Sequence, residues 1–193
     1  MSRQALLQSI TDVARAIFLS QAASIAVLDA GSGHFRFEAV SGEGAERLLG
    51  TTFPLGQGIA GTVAQTGEPM VVDDLTNDPR FARGVAEESG YVPKAMMVAP
   101  LLGEEDTLGV LSVLDRGRTG RTSLEELNLL GAFAEQAALA LALDDSAGRA
   151  AAMPAGDLAR LTRLAARIDA LSGTRREAAV QLLGALETLL RED

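Results

Sequence analysis

The sequence contains no cysteine and no tryptophan, and it has a single histidine and a single tyrosine among 193 residues. The absence of cysteine excludes disulfides, thiolate metal sites, thiol nucleophiles and cofactors attached through thioether bonds. His34 begins a segment that alternates apolar and polar side chains, so we expect it to be exposed at the edge of a β-hairpin. A metal or haem ligand at His34 would have no second histidine and no cysteine to act with it. The sequence therefore predicts no metal site.

Basic residues are also fewer than acidic ones. The sequence has 17 basic and 26 acidic residues, so its net charge is −9. Residues 151–193 contain six residues of each sign, so the first 150 residues carry the whole excess. An acidic domain repels phosphate backbones, and we therefore expect no nucleic-acid partner. The most apolar segment, residues 127–143, is interrupted by polar residues, and the N-terminus has no signal-peptide pattern. The sequence predicts no membrane partner and a cytoplasmic location.

Three glycines, Gly56, Gly58 and Gly61, form a GxGxxG pattern at the start of a predicted short helix over residues 59–66. This pattern occurs in dinucleotide-binding βαβ units, where a buried strand precedes it and a crossover of about a dozen residues follows. Here the preceding segment, residues 51–55, begins with polar residues and contains a proline, and the helix spans barely two turns. We therefore interpret the glycines as positions for tight turns and for close packing of the helix on a sheet.

Four segments in combination resemble the GAF domain, a sensory α/β module. LGQGIAGTV at residues 55–63 is followed by GEPMVVDD at residues 67–74. Further along, MMVAPL at residues 96–101 and LGVLSVL at residues 108–114 are nearly apolar strands joined by a charged turn. The resemblance covers roughly residues 4–145. It implies an α+β fold, with a central antiparallel sheet that has helices packed on one face and short helices and loops on the other.

Amphipathic patterns predict a long helix at each end of this region. Apolar residues at spacings of three and four predict a helix over residues 3–19. A capping box formed by Thr122 and Glu125 opens a second helix over residues 124–143. In GAF domains such terminal helices pack together and often contact a second subunit. The resemblance therefore implies a homodimer through the terminal helices, which would carry a signal to a downstream protein partner.

The C-terminal part of the chain lies outside the resemblance. Residues 146–156 are rich in alanine and glycine and contain a proline, which predicts a linker between residues 1–145 and the remainder. Residues 157–193 contain two amphipathic segments separated by Gly173, and they predict a helical hairpin. A hairpin of this size rarely folds alone, so we expect it to pack on another surface.

The resemblance to the GAF family excludes two activities and weakens a third. Free methionine sulfoxide reductases with this fold use cysteines, and covalent bilin chromophores attach to cysteine, so neither function is expected here. Cyclic-nucleotide-binding members carry an Asn-Lys pair and then a phenylalanine followed after three residues by Asp-Glu. Here Asn77 precedes Asp78, and the acidic pair Glu87-Glu88 follows Phe81 after five residues. We predict neither a cofactor nor an enzymatic activity, and cyclic-nucleotide binding is the weakest of three functions considered.

The remaining two functions differ in what fills the space between the sheet and the segments 57–63 and 73–91. In the first, a small molecule lies there and the terminal helices carry the signal. In the second, the chain is a dimerisation or scaffold module, and Met96 and Met97 plug the space. A cavity of a few hundred Å³ with polar groups would favour the sensor, and a solid core would favour the scaffold. The candidate ligand-binding residues are Gly58, Ile59, Asp73, Asp74, Phe81, Tyr91, Met96, Val98, Ser112 and Leu114.

Overall fold

The computed structural model describes residues 2–152, apart from residues 30, 105 and 119. The first of two compact units spans residues 1–144, and the second spans residues 145–193. The helices are α1 Arg3–Ile17, α2 Ala45–Leu48, α3 Gly58–Thr66, α4 Arg83–Ser89 and α5 Ser123–Ala152. The strands are β1 Ala22–Asp29, β2 His34–Gly42, β3 Thr52–Pro54, β4 Met70–Val72, β5 Met96–Leu102 and β6 Thr107–Leu114. The predicted hairpin at residues 157–193 lies outside the described residues.

The six strands form one sheet in the order β3-β2-β1-β6-β5-β4. Each described neighbour pair is antiparallel. In the middle of the sheet, Ser24 of β1 lies opposite Val40 of β2 on one side and Ser112 of β6 on the other. This topology confirms the predicted α+β fold class. A dinucleotide-binding unit at the three glycines is excluded, because that unit requires parallel neighbouring strands.

Alternate side chains of the sheet enter two separate cores, since successive residues of a strand point to opposite faces. On one face, Ala23 and Ile25 of β1 pack with Leu7 of α1 and Leu130 of α5. On the other face, Ala26 packs with residues of α3 and with phenylalanines from β2 and β3. Burying one leucine or isoleucine side chain stabilises the fold by about 1.5–3 kcal/mol. The first core therefore holds both long helices on one side of the sheet and leaves the opposite side for short elements.

Both long helices begin at side-chain caps. The Ser2 hydroxyl accepts a hydrogen bond from the Ala5 backbone N–H at 3.2 Å, at the start of α1. The Glu125 carboxylate accepts the Thr122 backbone N–H at 2.7 Å, and the Thr122 hydroxyl accepts the Glu125 N–H at 3.3 Å. These bonds confirm the predicted capping box. Helix α5 continues to Ala152 and therefore includes residues 146–152 of the predicted linker. The domain boundaries stay predictions.

The first part of α5, Ser123–Leu143, is long and apolar enough to cross a membrane by length and composition alone. Within it Leu130, Ala134, Ala137 and Leu141 are buried in the core formed with α1 and the sheet. A helix that packs in a protein core meets the same criteria. Packing inside the domain therefore accounts for part of its apolar composition, whereas Leu139 and Leu143 of the same segment are exposed.

Candidate functional site

A cavity of about 90 Å³ lies between the sheet and the short helices α3 and α4, on the face opposite α1 and α5. Strands β1, β2 and β6 form its floor, and residues of α3, α4 and the connections around them cover it. Phe37 and Phe53, whose ring centroids lie 5.1 Å apart, contribute an apolar wall. The cavity is smaller than the few hundred Å³ that would favour a sensor by size alone. The space is nevertheless open, so the core on this face is not solid.

The three glycines allow α3 to lie close to the chain segments beside it. A Cβ atom added to Gly61 would lie 2.7 Å from the carbonyl carbon of Gly56, closer than real Cβ atoms come to backbone. Gly56 and Gly58 have φ values of 89° and 75°, which side chains disfavour. A Cβ added to Gly58 would lie 3.0 Å from the Cβ of Ala82. The pattern therefore serves tight turns, as the sequence predicted, and its close contacts are with the turn at Gly56 and with Ala82 rather than with the sheet.

Two serines supply the polar groups of the cavity floor. Ser24 and Ser112 are 7% and 4% exposed, and their Cα atoms are partners in the β1–β6 ladder. Neither hydroxyl makes a hydrogen bond to any residue in the described part of the chain, and both residues line the cavity. Among the described residues, every side-chain nitrogen or oxygen that is fully buried has a hydrogen-bond partner. The two hydroxyls therefore face the open volume of the cavity.

The other polar side chains in the lining already have partners or lie at the rim. The Ser89 hydroxyl donates to the backbone oxygen of Ala86 at 2.6 Å and accepts the Tyr91 N–H at 3.1 Å. Glu43 and Gln57 are exposed. Among the described side chains of the lining, the serine pair on the floor therefore supplies the polar groups without a protein partner that a molecule inside the cavity would meet.

Tyr91 lies in the cavity wall, but its hydroxyl donates a hydrogen bond to Oδ2 of Asp115. The other carboxylate oxygen, Oδ1, accepts the backbone N–H groups of Lys94 at 2.9 Å and Ala95 at 2.8 Å. Burial raises the pKa of the Tyr91 phenol, and the hydrogen bond to Asp115 raises it further. Tyr91 therefore stays protonated and anchors the connection between α4 and β5.

Seven of the ten residues that the sequence proposed lie together around the cavity. Met96 is one of them, whereas its neighbour Met97 is fully buried in the core on the opposite face. The two methionines point to opposite sides of β5, so they do not plug the cavity as a pair. The seven residues are Gly58, Ile59, Phe81, Tyr91, Met96, Ser112 and Leu114.

The other three candidates do not line this cavity. Val98 is fully buried in the packed core beside the cavity. The Asp73 carboxylate pairs with Arg116 at 3.1 Å, and the Asp74 carboxylate accepts hydrogen bonds from Thr76 and Asn77. Both aspartates follow β4, which is an edge strand separated from β1 by two others. Their distance from the cavity follows from strand order, which the local sequence does not reveal.

Two residues at the site were missed from the sequence, Ser24 and Asp115. Ser24 begins an otherwise apolar stretch of β1, and a polar residue within a buried strand is a usable signal. Asp115 has a φ of 48°, a conformation that aspartate adopts more readily than most residues. Its contacts reach back across 20 to 24 residues to the segment before β5, so no local pattern indicates them.

Comparison with known proteins gives one family and several relatives. The family model described as GAF domain matches residues 2–141. The protein named probable 3',5'-cyclic phosphodiesterase pde-5 of Caenorhabditis elegans is 30% identical over 90 residues, which are 47% of this chain and 12% of that protein. The chain therefore spans about an eighth of the length of this relative. It spans 4% of dual 3',5'-cyclic-AMP and -GMP phosphodiesterase 11 of Drosophila melanogaster, which is 37% identical over 62 residues.

Solved structures share the fold at low sequence identity. The GAF domain of a phosphoenolpyruvate-protein phosphotransferase from Coxiella burnetii superposes with a TM-score of 0.68 at 19% identity, covering 77% of this chain and 87% of that one. Because the identity is below 25%, this likeness concerns the fold alone.

Proposed function

Because the chain belongs to the GAF domain family, whose model matches residues 2–141, we propose that it is a sensory module that binds a small molecule in the cavity beneath α3 and α4. Domains of this family are regulatory, small-molecule-binding modules. The ligand would lie on the floor formed by β1 and β6, under the segment that runs from Phe81 to Tyr91. We further propose that the module acts in the cytoplasm and without catalysis of its own, since the cysteine chemistry known for the fold has no residue here.

One observation carries this proposal: two buried serine hydroxyls face an apolar cavity and have no partner in the described part of the chain. Neither hydroxyl is sealed in the interior, because every fully buried side-chain oxygen among the described residues has a hydrogen-bond partner. Alanine at Ser24 or Ser112 would extend the apolar floor that Ala22 and Ala26 already form, and it would break no hydrogen bond within the described part of the chain. The fold therefore does not require these two hydroxyls, and a bound molecule would give them hydrogen-bond partners.

The sheet offers a route from the cavity to the long helices. Ser24 faces the cavity, while its neighbours Ala23 and Ile25 on the same strand pack in the core with α1 and α5. Because a packed interior transmits small shifts, a ligand that moves β1 would also move this helix core. We propose that α1 and α5 carry the signal to a downstream protein partner.

A scaffold function remains the second candidate because an apolar groove lies between α1 and α5. It is lined by Leu6, Ile10, Val13, Phe133 and Leu139, and Val13 and Leu139 are 44% and 54% exposed. We propose that a second copy of the chain covers it. Leu139→Glu should then shift the protein from dimer to monomer in analytical ultracentrifugation, whereas Leu102→Glu, at an exposed position on β5, should not.

Cyclic-nucleotide binding is the third candidate, and the phosphodiesterase relatives favour it. The residues in the region of the family's nucleotide motif do not support it in this chain. Glu87 and Glu88 are exposed on α4 and do not line the cavity, and the Asn77 amide donates to Asp74 at 2.8 Å. We therefore place it below the other two.

The proposal is tested by purifying the full chain under mild conditions and identifying bound small molecules by mass spectrometry. Ala26→Leu fills the cavity floor, and Ala132→Leu adds the same volume at an exposed position of α5. We expect a stoichiometric compound on the wild type and on Ala132→Leu, and none on Ala26→Leu. If the wild type carries none, and neither a metabolite library nor cyclic AMP or GMP shifts its melting temperature, the scaffold function is favoured instead.

A further inference from the structure

We propose that the cavity binds a compact, uncharged and mostly apolar molecule that carries one hydroxyl or carbonyl group, held jointly by Ser24 and Ser112. This inference rests on the proposed function, because it names the ligand class of the same cavity. The two serines are opposite each other in the β1–β6 ladder, where directly opposed side chains have Cβ atoms about 4.5–5.5 Å apart. One oxygen atom above the ladder can therefore contact both hydroxyls.

The side chains that line the cavity disfavour an anionic ligand. The described residues that line the cavity include no lysine, arginine or histidine. Glu43, at the exposed rim, is the one charged residue among them. A phosphate or carboxylate group placed on the floor would exchange its water shell for two neutral hydroxyls, which does not compensate the loss of hydration. The acidic rim and the net charge of −9 add repulsion. A cationic group would be equally unpaired on the floor, since Glu43 is not part of it.

Size restricts the ligand further. Pockets for drug-sized molecules have volumes of about 300–1,000 Å³, and an apolar cavity of roughly 150 Å³ in another protein takes benzene. The cavity here has about 90 Å³ and is partly open at its rim, which leaves room for one ring or a short branched chain. The apolar body of such a ligand would contact the side chains of Phe37, Phe53 and Val110.

The bonding capacity of the serine pair selects the polar group. Each hydroxyl can donate one hydrogen bond and accept others, so the pair can bind a carbonyl oxygen with two donors or a hydroxyl with one donor and one acceptor. Val40 and Val98 flank the pair in the ladders on either side, so a second polar group beside it would meet apolar side chains. The site therefore favours a single polar group on an apolar frame.

The test uses three probes that share one ring: benzene, phenol and benzoate. Their binding to the full chain is measured by titration calorimetry or by NMR shifts of cavity methyl groups. For the wild type we expect phenol to bind roughly 5-fold more tightly than benzene, as one net hydrogen bond provides, and benzoate not to bind. Ser24→Ala/Ser112→Ala should bind phenol and benzene equally. Ser41→Ala is the control, because Ser41 is a buried serine of β2 that accepts a bond from Arg15 and does not line the cavity.

Melting temperature separates a ligand-binding role of the serines from a structural one. The double alanine variant should melt at or above the wild-type temperature, since it loses no protein hydrogen bond, whereas Ser41→Ala should melt below it. Equal binding of benzene and phenol by the wild type would overturn this inference and leave the proposed function standing. Binding of benzoate or of a cyclic nucleotide in preference to phenol would also overturn it. If no probe and no other small molecule binds, both the inference and the sensor function fail.

Discussion

Replacing Gly61 with alanine is expected to destabilise the domain, although alanine is the better helix former. The new Cβ would lie 2.7 Å from the carbonyl carbon of Gly56 and 2.8 Å from its Cα and nitrogen. Unstrained carbon–carbon contacts are about 3.5–4.0 Å long, so the turn at Gly56 would have to move by roughly 0.7 Å or more. That turn is backbone with a φ of 89°, and it has no flexible side chain that could move aside.

The magnitude follows from two opposing contributions. Alanine in a helix interior is favoured over glycine by about 1 kcal/mol, whereas overpacking of this kind costs about 1–3 kcal/mol. The net loss at Gly61 should therefore reach up to about 2 kcal/mol. Gly131 in α5 is the matched control, because a Cβ there meets no atom within 4 Å. Gly131→Ala should stabilise the protein by up to about 1 kcal/mol.

Urea unfolding of the full chain, followed by circular dichroism, compares the two variants under one protocol. The free energy of unfolding should fall for Gly61→Ala and rise for Gly131→Ala. If Gly61→Ala were as stable as Gly131→Ala, the close approach between α3 and the Gly56 turn would not exist. The packing explanation of the glycine pattern would then have to be abandoned.

Two further predictions concern the cavity wall and the α5 cap. Tyr91→Phe should lower the free energy of unfolding by about 1 kcal/mol, because it removes the hydrogen bond to Asp115. Hydrogen exchange of the Lys94 and Ala95 amides should also become faster in this variant. Unchanged exchange would show that the phenol does not anchor this segment. Glu125→Gln should lower the melting temperature at pH 7, and its effect should diminish as the pH falls below 4.5. Hydrogen bonds from the backbone and side chain of Thr122 lower the pKa of Glu125 below its ordinary 4.5, so its stabilising contribution is complete above pH 4.5 and is lost as pH falls through the folded value. A difference between the two proteins that persists unchanged at low pH would contradict an ionic role for the carboxylate.

The sequence indicated most of the fold because its signals are local. The β5–β6 hairpin, the Thr122–Glu125 capping box and the short helix over residues 59–66 each depend on residues a few positions apart. The exposure of His34 at the start of β2 follows from the same alternation of side chains. Such patterns indicate which residues share one face of a helix or strand. They do not indicate which other helix or strand packs against that face.

Placement beside the cavity could be predicted for some residues from alternation along a strand, but for others it depended on strand order. Ser112 and Leu114 face the cavity because they share one side of β6, and the sequence places them there. Asp73 and Asp74 begin the segment 73–91 that was expected to cover the ligand, yet they follow β4, which is at the edge of the sheet. Ser24 was missed because its importance depends on Ser112 being its partner across the ladder.

The sequence by itself determined the absence of thiol chemistry, the acidic charge, most of the secondary structure and the sets of side chains that share one face of a strand. These properties depend on composition and on contacts within about four residues along the chain. The tertiary structure alone decided that two serines 88 positions apart would lie side by side on an apolar floor, without protein partners. Only the pairing of β1 with β6 brings them together, and such long-range pairing is a property of the whole sheet.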